Sequence, residues 1–139
     1  YRGGFSRADI DDLLDAMDAN YLGWSAGMAP AIMGAPGQPA LGDELVNSFC
    51  RTDPAIARHF AQATFLSDHR PVLPRNSTPA LIVQCSDDFI APPSVGEYLR
   101  EMLPRSSLHV VENVGHCPHM SVPDASYRAI RRFLDGLHL

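Results

Sequence analysis

The apolar run at residues 80–85 constrains the fold of this chain more than any other segment. It reads Ala-Leu-Ile-Val-Gln-Cys and contains two adjacent β-branched residues. Such a run is typical of a strand that is buried on both faces, as strands are in a parallel sheet with helices on each side. We therefore predict a buried strand here and, with it, an α/β fold.

The residues around this strand predict an alternation of strands and helices over residues 71–139. Prolines bracket a loop before the strand, and Pro92-Pro93 marks the turn after it. Apolar residues at helical spacing then predict a helix that ends before Pro104. A second strand is predicted at 108–111, a loop at 112–122 and a last helix carrying the apolar positions from Tyr127 to Leu137. This order is typical of an α/β domain.

Residues 1–70 lack a strand pattern and predict four short helices joined by brief turns. Ser6 and Asp9 have the spacing of a capping box, and Asp53-Pro54 combines an N-cap with proline at the first helical position. The apolar positions at helical spacing are Ile10, Leu13, Leu14, Met17, Tyr21, Trp24, Met28, Ile32, Leu41, Leu45, Val46, Phe49, Ile56, Phe60 and Phe65. This spacing is compatible with core positions and with the wall of a cavity.

Length and composition limit the size and the partners of the chain. At 139 residues it has room for one domain, but two apolar strands cannot form a covered sheet alone, so we expect the rest of the sheet N-terminal to Tyr1.

Sixteen acidic and eleven basic residues give a net charge of −5, which does not support a nucleic-acid partner. No apolar run is long enough to span a membrane. Three widely spaced cysteines predict a reducing, cytoplasmic location.

Polar side chains follow both predicted strands, where the functional residues of α/β sheets collect. Asp87 and Asp88 come after the first strand, and Gly115-His116 follows the second. An aspartate and a histidine in this order are the last two members of a Ser–Asp–His triad of the α/β-hydrolase type. The carboxylate of such a triad orients the imidazole, which takes the serine proton. We predict Asp88 and His116 as this pair, because Asp88 begins a turn to proline, and Asp87 as a solvated or loop-capping carboxylate.

A metal site is the competing interpretation of the second loop. His116, Cys117 and His119 carry ligand atoms that suit zinc. Their spacing is not a usual one for structural zinc, and Pro118 restricts the loop. We therefore predict no metal and no cofactor. Cys117 is expected to be a packing residue and His119 a structural loop residue.

Five motifs in order carry a resemblance to a known family. They are Asn20-Tyr21-Leu22-Gly23-Trp24, Phe49-Cys50-Arg51-Thr52-Asp53-Pro54, Ser67-Asp68-His69-Arg70, Gln84-Cys85-Ser86-Asp87-Asp88 and Gly115-His116-Cys117-Pro118-His119-Met120-Ser121. Together they resemble the C-terminal half of the small α/β hydrolases that include the bacterial sigma-B stress regulator RsbQ. The karrikin and strigolactone receptors of plants are relatives in the same group.

The resemblance implies a fold and a set of site residues. Residues 1–70 would form a V-shaped lid of four helices, and residues 71–139 the C-terminal part of the α/β-hydrolase core. Asp88 and His116 match the catalytic acid and base of the family. The residues that match its small apolar pocket are Trp24, Met28, Phe65 and Phe89.

The resemblance also implies a function and a missing group. The nucleophile of the family lies on a Gly-x-Ser-x-Gly elbow, a sharp turn from a strand into a helix. The one match to these letters, Gly23-Trp24-Ser25-Ala26-Gly27, falls in the stretch that lacks a strand pattern, so we expect no such elbow in the 139 residues. We therefore expect the intact protein to be a serine hydrolase of a small apolar ester or lactone, and this chain alone to be inactive. The second hypothesis is a signalling module that senses a small ligand and recruits a protein partner, which is a PAS-domain phosphatase for the bacterial regulator.

Overall fold

A computed structural model describes residues 1–137 and begins with the four predicted helices. They are α1 (Arg7–Ala19), α2 (Tyr21–Met33), α3 (Pro39–Cys50) and α4 (Pro54–Phe65). The capping box of Ser6 and Asp9 is present at α1. At α4, Oδ1 of Asp53 accepts hydrogen bonds from the first-turn amides, as predicted. No helix within residues 1–137 combines the length and apolar character that a membrane crossing requires.

The remaining elements follow in the order strand, helix, strand, helix. They are a 3-10 helix (Arg70–Arg75), β1 (Ala80–Asp87), α5 (Pro93–Met102), β2 (Ser106–Val114), α6 (Pro118–Ser121) and α7 (Pro123–Asp135). The prediction of one loop over 112–122 is correct at its end, since α7 begins at Pro123, but wrong at its start and in its interior. Strand β2 continues to Val114, and Pro118 begins a single helical turn in which the carbonyl of Cys117 accepts two backbone hydrogen bonds.

The two strands pair in parallel, which confirms the predicted α/β arrangement. Ala80 lies opposite Ser106, and Cys85 lies opposite Val111. The register then shifts, so that Asp87 lies opposite Val114. Between these two pairs, β1 contains one residue and β2 contains two. Helices α5 and α7 each contact both strands.

Two apolar clusters hold the helices in place. The first joins α1, α2 and α4 through Leu13, Leu14, Met17, Tyr21 and Ala61. The second joins the end of α2 to the segment after β2 through Met33, Ala35 and Cys117. The helices are also linked by polar contacts, because the hydroxyl of Tyr21 donates to the carbonyl of Phe49 at 2.9 Å and Arg58 pairs with Asp18.

Gly34 follows the last residue of α2, and its backbone approaches the end of β2. The φ angle of Gly34 is +62°, and a Cβ at this position would lie 2.3 Å from the carbonyl oxygen of Val114. The next amide, that of Ala35, donates to the same carbonyl at 3.0 Å. Glycine is required here both by the backbone angle and by the closeness of the two segments.

Replacement of Gly34 tests this contact. We expect Gly34→Ala to lower the free energy of unfolding by at least about 2 kcal/mol, because the new methyl group adds a backbone clash to an unfavourable φ angle. Gly37 provides the matched control, since a Cβ there would meet nothing within 4 Å. We expect Gly37→Ala to stay within about 1 kcal/mol of the parent in urea unfolding. Equal losses in the two variants would contradict the close approach.

Candidate functional site

The carboxyl ends of the two strands bring Asp88 and His116 into contact. Nδ1 of His116 lies 2.7 Å from Oδ2 of Asp88. The other carboxylate oxygen accepts hydrogen bonds from the amides of Ile90 at 2.9 Å and Ala91 at 3.1 Å. A carboxylate at Nδ1 favours the tautomer with the proton on that nitrogen, which leaves Nε2 able to accept one. The pair therefore has the geometry of an oriented general base.

Burial differs strongly between the two partners. The side chain of Asp88 is 4% exposed, whereas that of His116 is 43% exposed. The neighbouring Asp87 is exposed, and its backbone carbonyl accepts a hydrogen bond from the amide of Gly115 at 2.8 Å. The structure thus brings Asp88, and not Asp87, to the imidazole, and Asp87 contributes its backbone to the junction of the two loops.

The loop after Asp88 is held by a residue that the sequence analysis missed. Gln84 lies on β1 and is 5% exposed. Its side-chain amide donates to the carbonyl of Cys85 at 3.0 Å and to that of Ala91 at 2.8 Å. Gln84 therefore connects the strand to the far side of the turn that positions Asp88. A polar residue inside an otherwise apolar strand was the only sequence signal for this role.

A cavity of about 580 Å³ lies against the imidazole of His116. Its lining is mostly apolar and comes from α1, α2 and α4, with contributions from α3 and from the loop after β1. The lining residues are Leu13, Met17, Tyr21, Trp24, Met28, Ile32, Phe49, Thr52, Ile56, Ala57, Phe60, Ala61, Thr64, Phe65, Ile90 and His116. Three of the four predicted pocket residues, Trp24, Met28 and Phe65, are among them.

The fourth predicted pocket residue, Phe89, does not line this cavity. The residue is 43% exposed, and its ring packs edge-on against Phe5 with 6.2 Å between ring centroids. The chain turns immediately after Asp88, because the carboxylate binds the amides two and three residues later. Ile90, rather than Phe89, consequently reaches the cavity. The sequence position predicted the loop correctly but not the direction of its side chains.

Trp24 contributes an aromatic ring to the cavity wall. Its indole ring stacks between Tyr21 and Phe49, with 5.9 Å between centroids in each pair. Its Nε1 atom is buried, and no described residue accepts a hydrogen bond from it. A buried N–H without an acceptor is unfavourable.

The alternative metal ligands are dispersed. Cys117 is 8% exposed and packs against Met33 and Ala35, whereas His119 is exposed on α6. Among residues 1–137, no three histidine, cysteine or acidic side chains are grouped closely enough to hold a metal ion. Burial raises the pKa of the Cys117 thiol and, on β1, that of Cys85.

Comparisons with known proteins agree with this architecture. Residues 2–129 match the model of the α/β hydrolase family. The chain is 38% identical over 125 residues, 89% of its length, to the probable esterase D14L of Oryza sativa subsp. japonica, covering 46% of that protein. It is 35% identical over 135 residues, 96% of its length, to the Karrikin insensitive 2 receptor CA of Petunia hybrida, covering 50% of that protein. The chain therefore belongs to the α/β hydrolase family.

A solved structure supports the same conclusion. A hydrolase from Oleispira antarctica superposes with a TM-score of 0.93 at 44% sequence identity, over 99% of this chain and 50% of that one. The chain thus spans about half the length of the relatives that it matches.

The cysteines allow a test of burial beside the site. Cys50 is exposed, whereas Cys85 and Cys117 are buried and have raised pKa values. At about pH 8 the buried thiols hold less thiolate and are shielded, so we expect iodoacetamide to alkylate Cys50 at least about tenfold faster. Peptide mass spectrometry measures the three rates. The difference should vanish in denaturant, and equal rates in the folded chain would contradict the described packing.

Proposed function

We propose that Asp88 and His116 are the acid and base of a Ser–His–Asp triad in a hydrolase of small apolar esters or lactones. The observation that carries the proposal is the 2.7 Å contact between Nδ1 of His116 and Oδ2 of Asp88, beside an apolar cavity. The serine would come from polypeptide outside these 139 residues. Their one Gly-x-Ser-x-Gly match, at residues 23–27, lies inside α2 with Ser25 fully buried, and not on a turn that follows a strand. The printed names of the relatives, which include an esterase and a hydrolase, support the same reaction class.

The proposed reaction uses Nε2 of His116 twice. It first takes the proton of the serine hydroxyl while the serine oxygen attacks the acyl carbon, and then gives that proton to the leaving alkoxide. Water then attacks the acyl-enzyme with the same base, which releases the acid and restores the serine. Asp88 remains ionised and stabilises the imidazolium in both steps.

The proposed substrate class follows from the cavity. A volume of about 580 Å³ lies within the range of small-molecule sites. Its mostly apolar wall disfavours a charged ligand, because the charge would lose its hydration without compensation. A neutral ester or lactone would bury its carbon skeleton against this wall without such a loss.

The second hypothesis is that the intact protein is a ligand-sensing regulator, as in the RsbQ-like group. The 35% identity to a karrikin receptor supports it. The exposure of two cavity residues supports it as well. Ile56 and Phe60 line the cavity, yet they are 66% and 71% exposed, so a bound ligand and a protein partner could both touch them. In this hypothesis the partner is a PAS-domain phosphatase, the setting is the bacterial sigma-B stress response in the cytoplasm, and turnover is slow.

A chimaera tests the triad. The segment of the Oleispira antarctica hydrolase that this chain matches is replaced by this chain, and hydrolysis of p-nitrophenyl acetate is measured. We expect turnover by the chimaera, none by the 139 residues alone, and a loss of at least about 10³-fold in kcat on His116→Ala.

The control for this substitution is His119→Ala, which removes an exposed imidazole three residues away. It should leave kcat within about twofold of the parent chimaera, since surface substitutions change little. Retention of turnover by His116→Ala in an active chimaera would overturn the assignment of the base. Turnover by the isolated 139 residues would show that the nucleophile lies within them.

Trp24 provides a direct test of ligand binding, because it is the only tryptophan in the chain. We expect a neutral lactone such as ε-caprolactone to change its fluorescence in a saturable way. Met28→Gln preserves the side-chain volume but adds a polar group to the cavity wall, so affinity should fall about tenfold. Asn47→Ala, on the exposed surface of α3, should leave affinity unchanged. A signal that is identical in the Met28→Gln variant would place the ligand elsewhere.

A further inference from the structure

The irregularity between β1 and β2 lies directly before the two site residues. Over this step β2 contains one extra residue, and Ser86 has no regular partner in the ladder. Its hydroxyl replaces the missing ladder contact with two hydrogen bonds to the backbone of Asn113. Oγ accepts from the amide of Asn113 at 3.1 Å, and it donates to the carbonyl oxygen of Asn113 at 3.3 Å. Asn113 is thus fixed to β1 through its backbone.

The side chain of Asn113 extends this connection to both sides of His116. Its Nδ2 atom donates to the carbonyl oxygen of Gly115 at 3.3 Å and to Sγ of Cys85 at 3.4 Å. Its Oδ1 atom accepts from Oγ of Ser121, on α6, at 2.8 Å. One amide therefore links β1, the residue before His116 and the helical turn after it.

Gly115 explains why such a link is needed. Its φ angle is +108°, and a Cβ here would lie 2.0 Å from the carbonyl oxygen of Met33, so only glycine fits between β2 and α2. Glycine also has the greatest backbone freedom of any residue, and it precedes a histidine whose side chain is 43% exposed. The peptide between Gly115 and His116 is held on both sides. The amide of His116 donates to the carbonyl of Ile32 at 2.7 Å, and the carbonyl of Gly115 accepts from Nδ2 of Asn113.

We propose that Asn113 is a positioning residue for His116, and that its side-chain amide helps to keep Nδ1 of His116 against Asp88. Asn113 acts through the carbonyl of Gly115 and touches no reacting atom. The catalytic meaning of this role rests on the proposed hydrolase function. The geometric role does not, because it concerns only the hydrogen bond between Asp88 and His116.

Nuclear magnetic resonance of the ¹⁵N-labelled chain of 139 residues measures that hydrogen bond directly. In the parent chain we expect a low-field proton on Nδ1 of His116 that is lost on Asp88→Asn. We expect Asn113→Ala to increase the exchange of this proton with water about tenfold, the factor that corresponds to one typical hydrogen bond. Asn113→Asp should behave like Asn113→Ala, because a carboxylate keeps the acceptor but cannot donate to Gly115.

Controls separate positioning from general destabilisation. Asn47→Ala is the same substitution at an exposed site on α3 and should leave the exchange unchanged. If the amide spectrum shows that Asn113→Ala does not fold, Ser121→Ala takes its place. This variant removes the hydrogen bond from Ser121 to Oδ1 of Asn113, so the Asn113 side chain is held less firmly and exchange of the Nδ1 proton should also accelerate. Folded Asn113→Ala or Ser121→Ala with the parent exchange rate would overturn the proposal. An inactive chimaera with a normal Nδ1 proton would instead count against the hydrolase function alone.

Discussion

The site depends on one hydrogen bond, between Nδ1 of His116 and the buried carboxylate of Asp88. The two residues lie 28 positions apart, and they meet because parallel strands present their carboxyl ends at the same edge. A buried carboxylate is stable only when its oxygens are satisfied. Here one oxygen binds two backbone amides and the other binds the imidazole. The orientation of His116 and the burial of Asp88 are therefore consequences of the same contact.

Helix α2 connects this contact to the cavity. It supplies Trp24 and Met28 to the cavity wall, and near its end the carbonyl of Ile32 accepts the backbone amide of His116 at 2.7 Å. The close approach at Gly34 keeps the end of the helix against β2. A ligand that moves α2 would consequently also move the backbone of His116. This physical connection is compatible with catalysis and with ligand sensing, the two functions proposed for the intact protein.

The sequence predicted those features that depend on local patterns. The helices and their caps at Ser6 and Asp53 follow from short-range spacing. The parallel pairing of the strands, and with it the contact between Asp88 and His116, follows from strand order. The direction of Phe89 and the bridging role of Asn113 could not be predicted. Both depend on where single residues fall relative to a turn and to a register shift between strands, which the apolar pattern does not encode.

The most direct test of the central claim is covalent labelling of the serine in the chimaera by a fluorophosphonate. The serine oxygen attacks phosphorus only when a base removes its proton, so labelling reports on His116 without requiring a natural substrate. We predict rapid labelling of the chimaera and a loss of at least about 10²-fold in rate in both Asp88→Asn and His116→Ala. Labelling at the parent rate in either variant would contradict the assignment of Asp88 and His116 as the acid and base of a triad.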